Sequence, residues 1–311
     1  MVTVLNLFFT NILYIINVTQ HYGSEIGASP ARAVGLFCRN KWEKFRRGVK
    51  VEANQNKLTK QWYMEYRIHK NRPGLLGDIA SLLGMLEVNI LTINGVEGKT
   101  RGMLLETDDD EKISLMGAML KKVDNITVCA LREPKLVDIL AVRHGRYIDR
   151  DSDDRKTFRF TRDELGLLVD FLGELFKKNG NQVIGLRGMP RVGKTESIIA
   201  GSVCAMKRWT FVSSTLLRQT VRSQLSEDEM NPGNVFIIDG IVSTIRSNER
   251  HYNLLQDIMG MPCTKVIEHP DVFVQESEYT YDDFDIIVEL RNNPTEEIIY
   301  DTFTSSYNDD L

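Results

Sequence analysis

Hydrophobic and polar side chains alternate over residues 62–68, a period of two that predicts a half-buried strand. An Asn-Arg-Pro-Gly sequence at 71–74 ends this strand, and hydrophobic residues then recur at helical spacing over 75–86. The same patterns predict two further strands, a second helix and a last strand, at 90–96, 102–107, 113–123 and 126–131. Residues 62–133 are therefore expected to form a βαββαβ domain, the order of the split-βαβ, ferredoxin-like arrangement.

Short hydrophobic strands alternate with helical segments from residue 161 to residue 300. Thr161 and Glu164 form a capping box that starts the first of these helices. The hydroxyl residues at 213–215 are expected to cap a helix at 216–225. Alternation of this kind predicts a parallel sheet with helices on both faces, so the expected fold class is α/β with an α+β first domain. The strands are predicted at 182–186, 209–212, 234–239, 264–267 and 285–290, and the other helices at 196–207 and 249–259.

The composition agrees with two folded domains. The chain has 311 residues, of which 42% are hydrophobic and 26% charged, and this excludes a collagen-like or wholly disordered protein. The formal net charge of −4 gives no overall positive field that would favour a nucleic-acid partner. Four widely separated cysteines have no metal-ligand spacing and favour a reducing, cytoplasmic location. We expect folded domains at 62–133 and 161–300, a linker at 134–160 and a tail at 301–311.

Residues 1–60 differ from the rest of the chain in charge and in pattern. They hold nine Lys or Arg against three Glu, a net +6 that leaves −10 for the remainder. The hydrophobic run at 2–18 is interrupted by Asn6, Asn11 and Asn17 and is shorter than the roughly 18–20 residues of a membrane-spanning helix. With the basic residues after it, the run could lie on an anionic membrane surface. The favoured interpretation is a disordered or non-native N-terminal extension without membrane contact.

The strongest chemical signal is GMPRVGKT at residues 188–195, which fits the phosphate-binding pattern G-x-x-x-x-G-K-[ST]. Gly188 and Gly193 let the backbone wrap closely, so that its N–H groups point toward phosphate oxygens at the start of the next helix. Lys194 would reach the β- and γ-phosphates, and the Thr195 hydroxyl would bind Mg²⁺. Arg191 lies within the loop and would stabilise phosphate charge. The expected cofactors are ATP or GTP together with Mg²⁺.

A second element supports a nucleotide site. The hydrophobic strand at 234–239 ends in Asp239, which as a Walker B carboxylate would hold Mg²⁺ and act with Lys194 in catalysis. Gly240 follows where many hydrolytic ATPases have Glu, so nucleotide binding, slow hydrolysis and phosphoryl transfer to a substrate all stay open. Glu268 and His269 end another strand and are candidates for a base or a sensor.

Residues 69–98, HKNRPGLLGDIASLLGMLEVNILTINGVEG, resemble an ACT domain, the small-ligand regulatory module of many amino-acid enzymes. The resemblance covers about 70 residues and is carried mainly by the Asn-Arg-Pro-Gly turn and the helix after it. It implies an amino-acid effector, ligand-facing positions at Asn71, Gly74, Leu75 and Asn89, and a homodimer. The alternative is that this domain binds no ligand and serves only for dimerisation.

The linker contains Arg143-His144-Gly145, which invites comparison with histidine phosphatases. That chemistry needs a second histidine and further arginines around a phosphate, and the chain after the linker is organised around a different motif. A linker helix or turn with basic side chains is the favoured interpretation.

The whole arrangement over 62–300 resembles an uncharacterised, YmfK-like family of Bacillus proteins, a domain of unknown function. The leading hypothesis is a nucleotide-binding protein, a slow ATPase or a switch, regulated by a small molecule such as an amino acid. One alternative is a small-molecule kinase that transfers the γ-phosphate of ATP. Another is a non-enzymatic, ligand-sensing dimer in which the nucleotide is structural.

Overall fold

The computed structural model describes residues 59–154, 156–215, 217, 220–245 and 248–298. The predictions made for the head at 1–60 and for the tail at 301–311 lie outside the described residues, except at 59–60, where Lys60, the last residue of the predicted head, begins the first strand. Over the part of the chain that is described, no helix is long and apolar enough to cross a membrane.

The N-terminal part is a four-stranded antiparallel sheet with two helices on one face. Its strands have the order β2-β3-β1-β4, and the sequence of strands and helices follows the predicted βαββαβ order. Met64, Leu83, Met103 and Met116 fill the layer between sheet and helices, as the two periodicities require. The elements are β1 (Lys60–Ile68), α1 (Leu75–Met85), β2 (Asn89–Glu97), β3 (Thr100–Thr107), α2 (Asp110–Leu120) and β4 (Ile126–Arg132).

A linker helix, α3 (Leu136–His144), packs on the other face of this sheet. Val142 of α3 is fully buried in a small cluster with Tyr63 and Leu104. A Cβ atom on Gly102 would lie 2.8 Å from a Val142 methyl group, so glycine allows this close approach. The region predicted as a linker is thus partly ordered against the first sheet.

The second sheet has seven strands in the order β5-β6-β13-β7-β12-β11-β8. All neighbouring pairs are parallel except β5 with β6, and this confirms the predicted mixed α/β class with a parallel sheet. One face packs on α4 and α5, and the other packs on α7 and α8. The elements are β5 (Asp149–Arg150), β6 (Thr157–Thr161), α4 (Leu165–Phe176), β7 (Gln182–Gly188), α5 (Lys194–Cys204), β8 (Trp209–Phe211), β9 (Ser213–Ser214), β10 (Thr220–Val221), β11 (Val235–Asp239), α6 (Gly240–Ile245), α7 (Glu249–Gly260), β12 (Thr264–Glu268), α8 (Pro270–Gln275) and β13 (Ile286–Arg291).

Several segments differ from the sequence-based expectation, which contains neither the helices α6 and α8 nor the short strand β5. The helix predicted at 216–225 is wrong for the described residues, because Thr220–Val221 form the strand β10, which pairs with Ser213–Ser214 of β9. The β-branched pair suits a strand better than a helix interior. The strand β6 lies mostly within the predicted linker at 134–160, and it pairs with β13 and extends the parallel sheet.

Candidate functional site

The predicted phosphate-binding residues lie in the loop between β7 and α5. Gly188 ends β7, and a Cβ atom there would lie 2.5 Å from the carbonyl oxygen of Leu290 on the neighbouring strand. Gly193 has φ +111° and forms the N-cap of α5, a backbone conformation that favours glycine. The two glycines therefore allow a tight turn from the strand into the N-terminus of α5, where backbone N–H groups are unpaired within the helix.

Lys194 is the first residue of α5, and its side chain folds back under the loop. Its ammonium group donates hydrogen bonds to the carbonyl oxygens of Gly188 (2.8 Å) and Met189 (2.9 Å). Burial lowers the pKa of Lys194, although the nearby acidic side chains act in the opposite direction. A buried cation beside a helix N-terminus is an arrangement that attracts anions.

Thr195 is joined to Glu268 at the end of β12, the strand beside β7. The Thr195 hydroxyl donates a hydrogen bond of 2.6 Å to Glu268 Oε1, across 73 residues of sequence. Glu268 is only 6% exposed, and burial raises its pKa to about 7 against the opposing effects of Thr195 and Lys194. Sequence reasoning placed Glu268 at a strand end but did not pair it with Thr195.

Asp239 ends β11 and is held by the protein on both carboxylate oxygens. Its Oδ1 accepts from the backbone N–H groups of Ile241 and Val242 (3.1 Å each), at the start of α6. Its Oδ2 accepts from the backbone N–H of Thr215 (3.1 Å) and from the Thr215 hydroxyl. Thr215, expected to cap a helix, instead fixes the position of Asp239.

Gly240 follows Asp239 for a steric reason. A Cβ atom on Gly240 would lie 2.8 Å from the carbonyl oxygens of both Glu268 and His269. The glutamate that many hydrolytic ATPases carry at this position would therefore clash with the backbone of β12. His269, the other candidate base, has φ +55°, and burial lowers its pKa to about 3, which leaves it neutral at physiological pH.

The two predicted Mg²⁺ ligands are Thr195, in the first turn of α5 after β7, and Asp239, at the end of β11. Glu268, predicted as a base or a sensor, ends β12 between them in the sheet. No group of three or more His, Cys, Asp or Glu that could hold a metal ion by itself occurs among the described residues. Mg²⁺ beside a nucleotide needs only one or two protein oxygens, because phosphate and water supply the other ligands. The hydroxyl of Thr195 and a neighbouring carboxylate fit that requirement chemically.

Of the predicted effector residues, Asn71, Gly74 and Leu75 lie at the turn between β1 and α1, and Asn89 is the first residue of β2. Gly74 has φ +82° and forms the N-cap of α1. Asn71 and Asn89 are exposed, whereas the Leu75 side chain is buried in the hydrophobic core. Leu75 as a whole is only 4% exposed, and its backbone N–H donates to the Arg72 carbonyl oxygen (3.3 Å), while both asparagine side chains are accessible.

The basic linker residues contact the start and the body of α4. His144 Nε2 lies 2.9 Å from Asp170 Oδ2. The Arg146 guanidinium donates to Glu164 (2.8 Å) and to Asp163 (3.1 Å), and Glu164 is also the capping-box residue that precedes α4. His144 and Arg146 thus connect the linker to α4 and to the turn before it through polar side-chain contacts.

Fold and site together define an α/β protein with a four-stranded antiparallel sheet and a seven-stranded, mostly parallel sheet. The second of these sheets carries a glycine-bounded loop, a buried lysine and two acidic strand ends. Residues 128–310 match the family described as "Protein of unknown function (DUF3388)". The chain is 66% identical over 241 residues to the "Uncharacterized protein YmfK" of Bacillus subtilis (strain 168). That alignment covers 78% of this chain and 90% of the relative. The chain therefore belongs to this family.

A solved structure with partial similarity is that of phospho-2-dehydro-3-deoxyheptonate aldolase (DAHP synthase) from Thermotoga maritima. It is 11% identical, and the match covers 74% of this chain and 87% of that chain with a TM-score of 0.19. A score this low supports no inference about fold or activity.

Proposed function

We propose that this chain is a P-loop protein that binds ATP or GTP with Mg²⁺ in the cytoplasm. The observation that carries the proposal is the glycine-bounded loop at the carboxyl end of β7, with the Lys194 ammonium group buried beneath it. The free N–H groups at the start of α5 and the Lys194 cation would bind the β- and γ-phosphates. On binding, the ammonium group would exchange its two carbonyl acceptors for phosphate oxygens.

The sheet topology supports a ligand at this place. The chain leaves β7 toward β8 at one edge of the sheet, and leaves β12 toward β13 on the other side of β7. Neighbouring strands whose connections run in opposite directions open a crevice at their carboxyl ends, where ligands of open α/β sheets bind. Thr195 and Glu268 lie at this crevice, immediately beside the loop.

We further propose that the N-terminal sheet is an ACT-like regulatory domain that binds a small molecule such as an amino acid, within a homodimer. A physical connection to the nucleotide loop supports this. Arg146 binds Glu164, and the adjacent Arg162 donates to the Arg191 carbonyl oxygen in the loop (3.3 Å). A movement of the linker would therefore reach the loop through the start of α4.

Equilibrium binding tests the nucleotide proposal. Fluorescent mant-ATP and mant-GTP are titrated with the full chain, with Lys194→Ala, and with Lys178→Ala as a matched loss of an exposed lysine. Loss of one charge-assisted contact should lower the affinity of Lys194→Ala by about 10–100-fold. The control should bind like the wild type. Absence of binding by the wild type, or equal affinity of Lys194→Ala, would refute the proposal.

The same titration tests regulation when each of the twenty amino acids is added. An effector should change nucleotide affinity, and the nucleotide should change effector affinity by the same factor. If none of the twenty amino acids changes the nucleotide affinity, the proposed regulatory role of the N-terminal domain is refuted.

A small-molecule kinase is the second candidate, and the steric restriction at Gly240 favours it. Because no glutamate follows Asp239, the position from which hydrolytic ATPases usually activate water carries no base. Phosphoryl transfer to a substrate depends mainly on positioning and charge stabilisation. Radiolabel from γ-labelled ATP would appear on a metabolite if the chain is a kinase. Release of labelled phosphate alone would support hydrolysis instead.

A further inference from the structure

We propose that Glu268, together with the Thr195 hydroxyl, holds Mg²⁺ beside the bound nucleotide, and that Asp239 does not ligate the metal. This assignment rests on the proposed nucleotide site. Asp239 and Glu268 are direct partners in the register of β11 and β12, so both end at the same edge of the sheet. They differ in how many hydrogen bonds their carboxylates accept from the protein, four at Asp239 and one at Glu268.

Asp239 has no acceptor capacity to spare. A carboxylate offers about four lone-pair positions. Ile241, Val242 and Thr215 already supply four hydrogen bonds to its two oxygens. A metal ion at Asp239 would have to displace the N–H groups that begin α6 or the contacts that fix Thr215. The carboxylate is therefore a structural cap.

Glu268 is buried and has an open oxygen. Its side chain belongs to a residue that is only 6% exposed, and Thr195 donates its one hydrogen bond, to Oε1. No described residue donates a hydrogen bond to Oε2. A carboxylate oxygen that has no protein donor, on a side chain that is otherwise buried, is available to a ligand.

The Thr195–Glu268 pair suits Mg²⁺ bound to phosphates. The Thr195 hydroxyl can keep donating its proton to Glu268 while a lone pair on the same oxygen faces the metal. Hydroxyl and carboxylate oxygens are the hard ligands that Mg²⁺ prefers, and nucleotide phosphates and water would complete the octahedron. Because Thr195 follows Lys194 directly, the metal would lie next to the phosphates that Lys194 contacts.

The test compares the affinity for mant-ATP and mant-GTP in MgCl₂ with the affinity in EDTA. Glu268→Gln keeps an acceptor for Thr195 but removes the charge. Glu268→Gln should bind nucleotide in EDTA as tightly as the wild type does. The factor by which Mg²⁺ increases nucleotide affinity should be about 10–100-fold smaller than in the wild type. Glu196→Gln is the matched control, because it removes a neighbouring exposed carboxylate from the first turn of α5, and it should keep the enhancement.

Circular-dichroism melting shows whether each variant is folded. If Glu268→Gln does not fold, Glu268→Asp replaces it, because this variant keeps the charge on a shorter side chain. It should also reduce the increase in nucleotide affinity caused by Mg²⁺, with unchanged affinity in EDTA. Full enhancement in the folded Glu268 variant, or loss of enhancement in Asp239→Asn alone, would overturn the assignment. A wild type that binds nucleotide in neither buffer would instead refute the proposed function.

Discussion

The two larger sheets of the described chain, one antiparallel and one mostly parallel, differ in the side chains that they bury. Among the described residues, the antiparallel unit at 60–132 buries no charged side chain, and its core is almost wholly hydrophobic. The parallel sheet and its helices bury five charged residues, at a cost that only partners or ligands offset. They are Lys194, Asp239, Lys265, Glu268 and Glu289.

These buried charges are not equivalent. Lys265 donates to Asn181 and to two backbone carbonyl groups, which uses all its donors. Glu289 is bound by three arginines, and Asp239 by four protein donors. Lys194 and Glu268 are the less completely paired charges, and they lie beside the same loop. Incomplete pairing, more than burial itself, therefore marks the candidate site.

The largest expected effect on stability comes from replacing a glycine of the parallel sheet, compared with a glycine of the antiparallel unit. Gly188→Ala would place a Cβ atom 2.5 Å from the Leu290 carbonyl oxygen, so we expect a loss of about 3 kcal/mol in the free energy of unfolding. Gly77→Ala, in α1 with nothing within 4 Å of the new atom, should instead stabilise by about 0.5–1 kcal/mol. Urea unfolding measures both. Similar values for the two variants would contradict the packing described for β7 and β13.

A smaller effect is expected for two aspartates that accept from helix N-termini. Asp239→Ala removes a buried carboxylate with four donors and should cost about 2 kcal/mol. Asp109→Ala removes a partly exposed cap that accepts one N–H bond, from Glu111 (2.8 Å), and should cost about 1 kcal/mol. Thermal and urea unfolding measure the stability of both variants. If the Asp239 variant is as stable as the Asp109 variant, the structural role assigned to Asp239 is wrong.

The smallest effect on stability is expected at the connection between the two units. Arg146→Ala breaks exposed ion pairs with Glu164 and Asp163 and should cost less than about 1 kcal/mol. Lys177→Ala, which breaks a pair with Glu174 on the same helix, is the control. Only Arg146→Ala should weaken the mutual effect of amino acid and nucleotide on the melting temperature. Unchanged coupling in Arg146→Ala would show that the linker does not connect the sites.

The sequence predicts much of this fold because periodicity is a local property. Alternation over 62–68 and helical spacing over 75–86 place β1 and α1 within two residues of their observed bounds. The loop at 188–195 is equally local, since glycine, lysine and threonine are adjacent in sequence. The helix expected at 216–225 fails because the pairing of Thr220–Val221 with Ser213–Ser214 outweighs local propensity.

The details of the site depend on contacts between distant residues. The bond between Thr195 and Glu268 follows from the strand order, which places β12 between β7 and β11. The requirement for Gly240 likewise arises from the backbone of Glu268 and His269 on the next strand. Neither can be derived from spacing, although a glutamate at the end of a buried strand is a signal that makes Glu268 a candidate.

A crystal structure of the full chain with Mg²⁺ and a non-hydrolysable ATP or GTP analogue would test the central claim most directly. We expect the β- and γ-phosphates within the loop at 188–195, with the Lys194 ammonium group moved from the Gly188 and Met189 carbonyl oxygens onto phosphate. Magnesium should lie between the phosphates and the Thr195–Glu268 pair. A nucleotide bound elsewhere, with Lys194 still bonded to both carbonyl groups, would contradict the account.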